Sequence, residues 1–465
     1  MSTQNSTVDS TSTRHRKRKG RCSEPSASPF AAPFSPEFAD DALALQFSTR
    51  YGNDLRYTAA WKRWNAWDGK RWAKDESLYV FDLARSVCRS AASWAAALQQ
   101  EHLARHIASA ATIAAVERLA RADRCHAATV DQWDANPWLL NTPAGTVRLN
   151  TGALQPPTRE DYCTKITAVA PGGECPLWRS FLYRITDSQA ELQEFLQRMA
   201  GYALTGITFE DVLFFLYGTG ANGKSVFLNT ISGVMGDYAR TAPIEVFIAS
   251  SNDRHPTELA GLHGARLVTA IETEEGRRWA ESKLKALTGG DRIAARFMRQ
   301  DFFEFTPQFK LLIAGNHKPG LRTVDEAIRR RFNLVPFTVT IPKAERDDKL
   351  TKKLRLEWPG ILQWMIDGCV AWQCEGLKPP EIVKTATADY LSEEDALGRW
   401  LKDCCVQEGG SWTSTTDLFK SWHSWCERNG EQPGTEKRFS QNLEARGYCK
   451  KRTADARGFN GLGLK

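Results

Sequence analysis

The stretch Leu213-Phe214-Phe215-Leu216-Tyr217-Gly218-Thr219-Gly220-Ala221-Asn222-Gly223-Lys224-Ser225-Val226-Phe227-Leu228 constrains what the whole chain can become. An apolar run reads as a buried strand, the glycine cluster as a turn, and the residues from Lys224 as the opening of a helix. The spacing Gly218-x4-Gly223-Lys224-Ser225 has a mechanical meaning. Glycines let successive backbone N–H groups curl around phosphates, the lysine reaches the β/γ oxygens, and the serine hydroxyl holds Mg²⁺.

Composition sets the frame around this unit. A chain of 465 residues with 42% hydrophobic content can hold two or three domains. Its net charge of +7 permits a nucleic-acid partner without demonstrating one. The 11 cysteines show no C-x-x-C pair or zinc-like spacing, which points to reduced thiols in a cytoplasmic setting. No apolar run has the length of a membrane span, and the polar N-terminus does not read as a secretory signal.

Residues 1–38 read as a disordered basic tail containing the block Arg14-His15-Arg16-Lys17-Arg18-Lys19-Gly20-Arg21. Residues 39–200 read as an α+β domain. Within it, Trp61 to Trp72 forms two aromatic runs joined by Asp68-Gly69, the residues of a tight hairpin turn. Its tryptophans fit a small core better than a base-stacking surface. An Ala-rich helical region runs from about Leu78 to Arg124.

Residues 201–345 form the expected nucleotide core. Three further apolar runs follow the glycine loop: Ala265–Ile271 closed by Glu272-Thr273-Glu274-Glu275, Phe309–Gly315 closed by Asn316-His317-Lys318, and Phe332–Phe337 preceded by Arg329-Arg330-Arg331. In an open parallel sheet, ligands bind beyond the carboxyl ends of the strands. A nucleotide hydrolase needs a metal-side acid, a water-orienting group, a polar probe of the γ-phosphate and a cation for transition-state charge. Glu272 suits the first and Glu274 the second. Asn316 suits the third, and Arg330 or Arg331 suits an arginine finger from a neighbouring subunit.

With Leu287-Thr288-Gly289-Gly290-Asp291 and Asp325-Glu326-Ala327-Ile328-Arg329-Arg330-Arg331 added, the set resembles the superfamily 3 helicase module of phage and plasmid primase-helicase proteins. The resemblance covers about Asp40 to the C-terminus. It implies an AAA+-type P-loop core with a parallel sheet flanked by helices, assembled as a ring, usually a hexamer, that moves 3′ to 5′ on single-stranded DNA. It also implies ATP and Mg²⁺ as cofactors. Gly218, Thr219, Gly220, Ala221, Asn222, Gly223, Lys224 and Ser225 would bind the nucleotide, and Ser225 and Glu272 the metal. Lys224 and Ser225 take the Walker A roles, Glu272 and Glu274 the Walker B roles, Asn316 the sensor role and Arg330/Arg331 the finger. Residues Arg292 to Phe303 would form a DNA-gripping hairpin with Arg296 and Arg299 on phosphates. The acids here are separated by Thr273 rather than adjacent. No Asp-x-Asp pair precedes the loop, so priming is not expected and a separate primase would supply it.

Residues 346–400 read as a helical bridge or lid, broken at Pro379-Pro380. In residues 401–465 a helix near Asp417–Asn429, a second from a Thr435 cap to Arg446, and a basic hairpin resemble a winged-helix DNA-binding domain, with Lys437 and Arg438 toward a groove. The expected function is a cytoplasmic, ATP-dependent replicative helicase of a phage, prophage or plasmid, acting on single-stranded and forked DNA as a homo-oligomer. The alternatives are an ATP-switched initiator or loader that does not unwind, and a primase-helicase.

Overall fold

The computed structural model describes residues 37–250, 257–272, 274–299, 301–453 and 456–465; the basic block of residues 14–21 lies outside them, as does the side chain of Glu272. Contacts divide the chain into two units, one made of residues up to Asn53 with Ser77–Ala127, the other of Asp54–Glu76 with Ala128–Lys465. Segments 54–76 and 128–200, expected within an N-terminal domain, therefore share a unit with the central sheet.

The smaller unit is helical. Helices Asp40–Tyr51, Tyr79–Ala97, Glu101–Ile107 and Ala110–Ala120 pack through Leu43, Phe47, Val87, Ile107 and Val116. The Ala-rich region is thus interrupted rather than continuous. Gln99 takes a positive φ of 59°, and the Ser109 side chain caps the next helix by accepting from the Thr112 N–H.

In the larger unit, five parallel strands form the sheet: β1 (Leu213–Tyr217), β2 (Ala239–Thr241), β3 (Leu267–Glu272), β4 (Lys310–Gly315) and β5 (Phe332–Pro336), in the order β5-β1-β4-β3-β2. Alternation explains their uninterrupted apolar sequences. Phe214, Leu216, Leu312, Ala314 and Val335 enter one core with helices Pro176–Ile185, Ala190–Leu204, Lys224–Met235 and Trp358–Glu375. Leu213, Phe215, Leu311, Ile313 and Leu334 enter the other with Trp279, Leu284, Ile328 and Tyr390. Both faces are covered.

Helix Trp358–Glu375 is built into the first core rather than laid over it. A Cβ on Gly368 would meet the Gln197 carbonyl at 2.2 Å, and one on Gly201 the Cys369 nitrogen at 2.1 Å, so glycines set how closely this helix approaches Ala190–Leu204. Two buried cations pin the amino ends of the strands. Arg266 donates to the carbonyls of Leu204 and Leu139, each at 2.8 Å. Lys310 donates to Thr205 and, at 3.1 Å, to the Ile207 carbonyl, and burial pushes its pKa well down.

The Asp68-Gly69 turn joins strands Arg63–Trp67 and Trp72–Lys74, with Asp68 Oδ1 accepting from the N–H groups of Lys70 and Arg71 at 2.8 Å. Trp64, Trp72 and Trp133 are buried, as a small aromatic core requires. At the C-terminus, helices Thr415–Asn429 and Glu436–Ala445 pack under a sheet of Trp412–Ser414, Arg457–Asn460 and Lys450–Arg452. Gly430 at φ 69° ends the first helix, and Thr435 caps the second through the Arg438 N–H. No helix among the described residues is long and apolar enough to cross a membrane.

Candidate functional site

The turn between β1 and helix Lys224–Met235 requires left-handed backbone, with φ of 105° at Gly220, 51° at Ala221 and 85° at Gly223. Gly223 also faces a wall: a Cβ there would stand 2.6 Å from Ile185 Cγ2. The far side of the turn is tied to the chain after β5. Asn222 Nδ2 donates to the Phe337 carbonyl at 3.0 Å, and the Ile341 N–H donates to the Ala221 carbonyl at 2.8 Å.

Lys224 opens the helix and is only 5% exposed. Its Nζ donates to the Gly218 carbonyl at 2.6 Å, to Asn222 Oδ1 at 3.1 Å and to Asn316 Oδ1 at 3.1 Å. All three acceptors are neutral. Burial lowers the ammonium pKa to about 8, as expected where desolvation meets no compensating charge. Beside it opens a cavity of about 370 Å³ lined by Gly220–Val226, Ile271 and Ala314–Asn316, with the Ser225 side chain at its surface.

Sheet order brings Asn316 there. β4 lies between β1 and β3, with Gly315 paired to Tyr217 on one side and to Glu272 on the other. The next residue therefore leaves the sheet between the glycine turn and the acidic strand end. A helix N-terminus, a buried ammonium with neutral partners and an exposed hydroxyl form a donor set suited to an anion with an accompanying cation.

The other expected site residues are dispersed. Glu272 ends β3 at the cavity's edge by register. Glu274 is exposed and accepts from Arg277 Nε at 2.7 Å. Arg331 is buried, donating to Thr288 Oγ1 at 3.0 Å and the Ala327 carbonyl at 2.8 Å, whereas the Arg330 side chain is 58% exposed and lies 3.4 Å from Asp211. Both arginines precede β5, whose register Phe332↔Leu213 to Pro336↔Tyr217 puts them at the opposite end of β1 from the glycine turn.

Strands Ile293–Ala295 and Phe303–Phe305 pair as a hairpin. Arg296 stacks on Phe302 at 4.8 Å, and Arg299 is exposed with Phe297, Met298 and Phe302 around the tip. Lys437 and Arg438 are exposed on the first turn of Glu436–Ala445. Two acids had no sequence signal beyond their charge. Asp211 meets Arg330 and Arg331. Asp395 caps helix Ala396–Cys404 through the Gly398 N–H at 2.9 Å, accepts from Arg329 at 3.2 Å and also from Arg446.

An α/β fold whose parallel strand ends and glycine turn converge on one cavity is the class that this geometry defines. Sequence comparison adds particular relatives. Residues 44–187 match the D5 N terminal like family, and residues 216–331 match a family of unknown function. The chain is similar to "Putative helicase L207/L206" of Acanthamoeba polyphaga mimivirus, 23% identical over 326 residues that make up 64% of this chain and 34% of the viral protein. It is also similar to "Putative helicase 022R" of Frog virus 3 (isolate Goorha), 28% identical over 271 residues, 53% of this chain and 27% of that one. The chain thus spans about a third or less of the length of these relatives. Among solved structures it is similar to the apo structure of NrS-1 C terminal region, at a TM-score of 0.46 and 10% identity over 91% of this chain and 99% of that one.

Proposed function

We propose that the chain is an ATP-dependent DNA helicase of the superfamily 3 type, working as a homo-oligomeric ring, six-membered in this reading, on single-stranded and forked DNA. Names borne by the viral relatives support the helicase class. The observation that carries the reading is Lys224: a buried ammonium among three neutral acceptors, at a helix N-terminus, beside a cavity. Such a site gains from a phosphate anion.

Bound ATP with Mg²⁺ would supply the transferable phosphoryl group and neutralise its charge. In this reading Gly218 to Gly223 and Lys224 hold the phosphates, and Ser225 with Glu272 holds the metal. Asn316 probes the γ-phosphate, and Glu274 orients water once it has released Arg277. Five residues of β1 at about 3.3 Å each separate Arg330 from its own glycine turn by roughly 16 Å. That separation favours a finger that serves a neighbouring subunit. The tip carrying Arg296 and Arg299 would grip the strand, and the C-terminal module, read as a winged helix, would meet duplex phosphates through Lys437 and Arg438. A separate primase would make the primers, and 3′ to 5′ movement follows from the superfamily assignment alone.

The test is ATP hydrolysis and forked-duplex unwinding by wild-type and Lys224→Ala protein. The reading expects both activities in the first and neither in the second. Hydrolysis without unwinding would favour the ATP-switched initiator, and ribonucleotide incorporation on a single-stranded template would favour the primase-helicase.

A further inference from the structure

The segment that follows β4 is bonded almost residue by residue to the end of one helix. It starts at Asn316, which accepts from Lys224, and leads away from the cavity. Lys318 ion-pairs with Glu393 at 3.4 Å and lies over the rings of Tyr217 and Tyr390, 5.0 and 5.8 Å from their centroids. The Pro319 carbonyl accepts from Tyr390 Oη, which itself accepts from Trp279 Nε1 at 2.9 Å. The Gly320 N–H donates to the Arg277 carbonyl at 2.8 Å, and the Trp279 N–H donates back to the Gly320 carbonyl at 3.0 Å. The Leu321 N–H donates to Glu394 Oε2 at 2.7 Å. Tyr390, Glu393 and Glu394 all belong to the last two turns of helix Glu381–Glu394.

Three consecutive carboxylates at this helix end serve different parts of the chain. Glu393 and Glu394 hold the segment after Asn316. Asp395 caps helix Ala396–Cys404 through the Gly398 N–H and accepts from Arg446 of the C-terminal module. A displacement of the segment is therefore felt at the start of helix Ala396–Cys404. The member able to change is the contact between Lys224 and Asn316. Asn316 is exposed and makes no other side-chain hydrogen bond among the described residues. An ammonium bonds a phosphate more strongly than a neutral amide, so an anion in the cavity takes Lys224 from Asn316 and frees the start of the segment.

Building on the nucleotide-site reading, we propose that phosphate at Lys224 is sensed by the C-terminal module through residues 316–321, Tyr390 and Glu393-Glu394-Asp395. Glu394 and Tyr390 are the positioning residues of the Asn316 segment. Nucleotide at one site and nucleic acid on the module then change each other's affinity by one common factor.

The test is hydrogen exchange read by mass spectrometry on the full chain, with and without a non-hydrolysable ATP analogue and Mg²⁺, for wild type, Tyr390→Phe, Glu394→Ala and Glu394→Gln. In wild type the analogue is expected to change exchange about threefold or more in both residues 317–323 and helix Ala396–Cys404. Glu394→Ala and Tyr390→Phe are expected to bind the analogue as wild type does and to keep the change in 317–323, but to lose it in Ala396–Cys404. Glu394→Gln keeps an oxygen for the Leu321 N–H and is expected to restore it. The Kd for duplex DNA should shift about tenfold with the analogue in wild type and scarcely at all in Glu394→Ala. A change confined to 317–323 in wild type, or one that reaches Ala396–Cys404 in both Glu394→Ala and Tyr390→Phe, would overturn the relay. A duplex Kd that the analogue shifts equally in wild type and Glu394→Ala would do the same. Analogue binding unaffected by Lys224→Ala would instead overturn the nucleotide-site reading beneath it.

Discussion

Lys224 Nζ and Asn316 Oδ1 stand 3.1 Å apart although 92 positions separate them in the chain. The contact joins the first residue of a helix to the residue just beyond an adjacent parallel strand, so it reports directly on sheet order. Lys224→Ala is expected to abolish ATP hydrolysis while leaving a folded protein, because burying the ammonium already offsets much of what its hydrogen bonds contribute. Hydrolysis and thermal unfolding of the same preparation decide this; an unfolded variant or an active one would contradict it.

The lowered pKa of Lys224 gives a pH signature. Near pH 8 the unliganded protein holds about half a proton on this amine, and a phosphate anion raises the pKa and draws the proton in. ATP affinity should therefore fall from about pH 7 to about pH 9, with proton uptake on binding near pH 8. Calorimetry in buffers of different ionisation enthalpy measures that uptake, and release of protons would contradict it.

Arg330 and Arg331 are expected to separate cleanly. Arg331→Ala removes a buried guanidinium from Thr288, Ala327 and Asp211 and should destabilise the fold by about 2–4 kcal/mol. Arg330→Ala should leave thermal unfolding almost unchanged and nearly eliminate hydrolysis while ATP still binds. Mixing Arg330→Ala with Lys224→Ala protein should restore part of the activity. Mixed assemblies that stay inactive at every ratio would withdraw the trans arrangement.

Charge reversal of Lys437 and Arg438 should weaken duplex binding at physiological salt at least tenfold and reduce the salt slope by about 2, with basal hydrolysis intact. Arg296→Ala with Arg299→Ala should instead remove stimulation of hydrolysis by single-stranded DNA. A common effect of both pairs on basal hydrolysis would argue against separate DNA surfaces.

Local chemistry made much of this legible. The glycine turn, the Asp68-Gly69 hairpin, the Thr435 cap and the Gly430 stop each depend on a few adjacent residues, and each appears where the sequence places it. Four of the five sheet strands were readable because burial on both faces leaves continuous apolar runs. β2, only Ala239-Arg240-Thr241, carries no such run, and its pairing with β3 defines it. Sequence could not distinguish Arg330 from Arg331, since burial of the second follows from Thr288 and Ala327 packing around it. Asp211 and Asp395 were invisible for the same reason: their partners come from distant segments.

Asp395 also limits how the molecule can flex. One carboxylate caps the helix entering the C-terminal module, takes Arg446, the residue that ends helix Glu436–Ala445 of that module, and takes Arg329 from the run that continues into Arg330. This makes the junction a weld rather than a swivel. A load borne by the module is passed as torque to the arginine edge of the sheet, and relieving it by rotation would mean breaking bonds to a nearly buried charge.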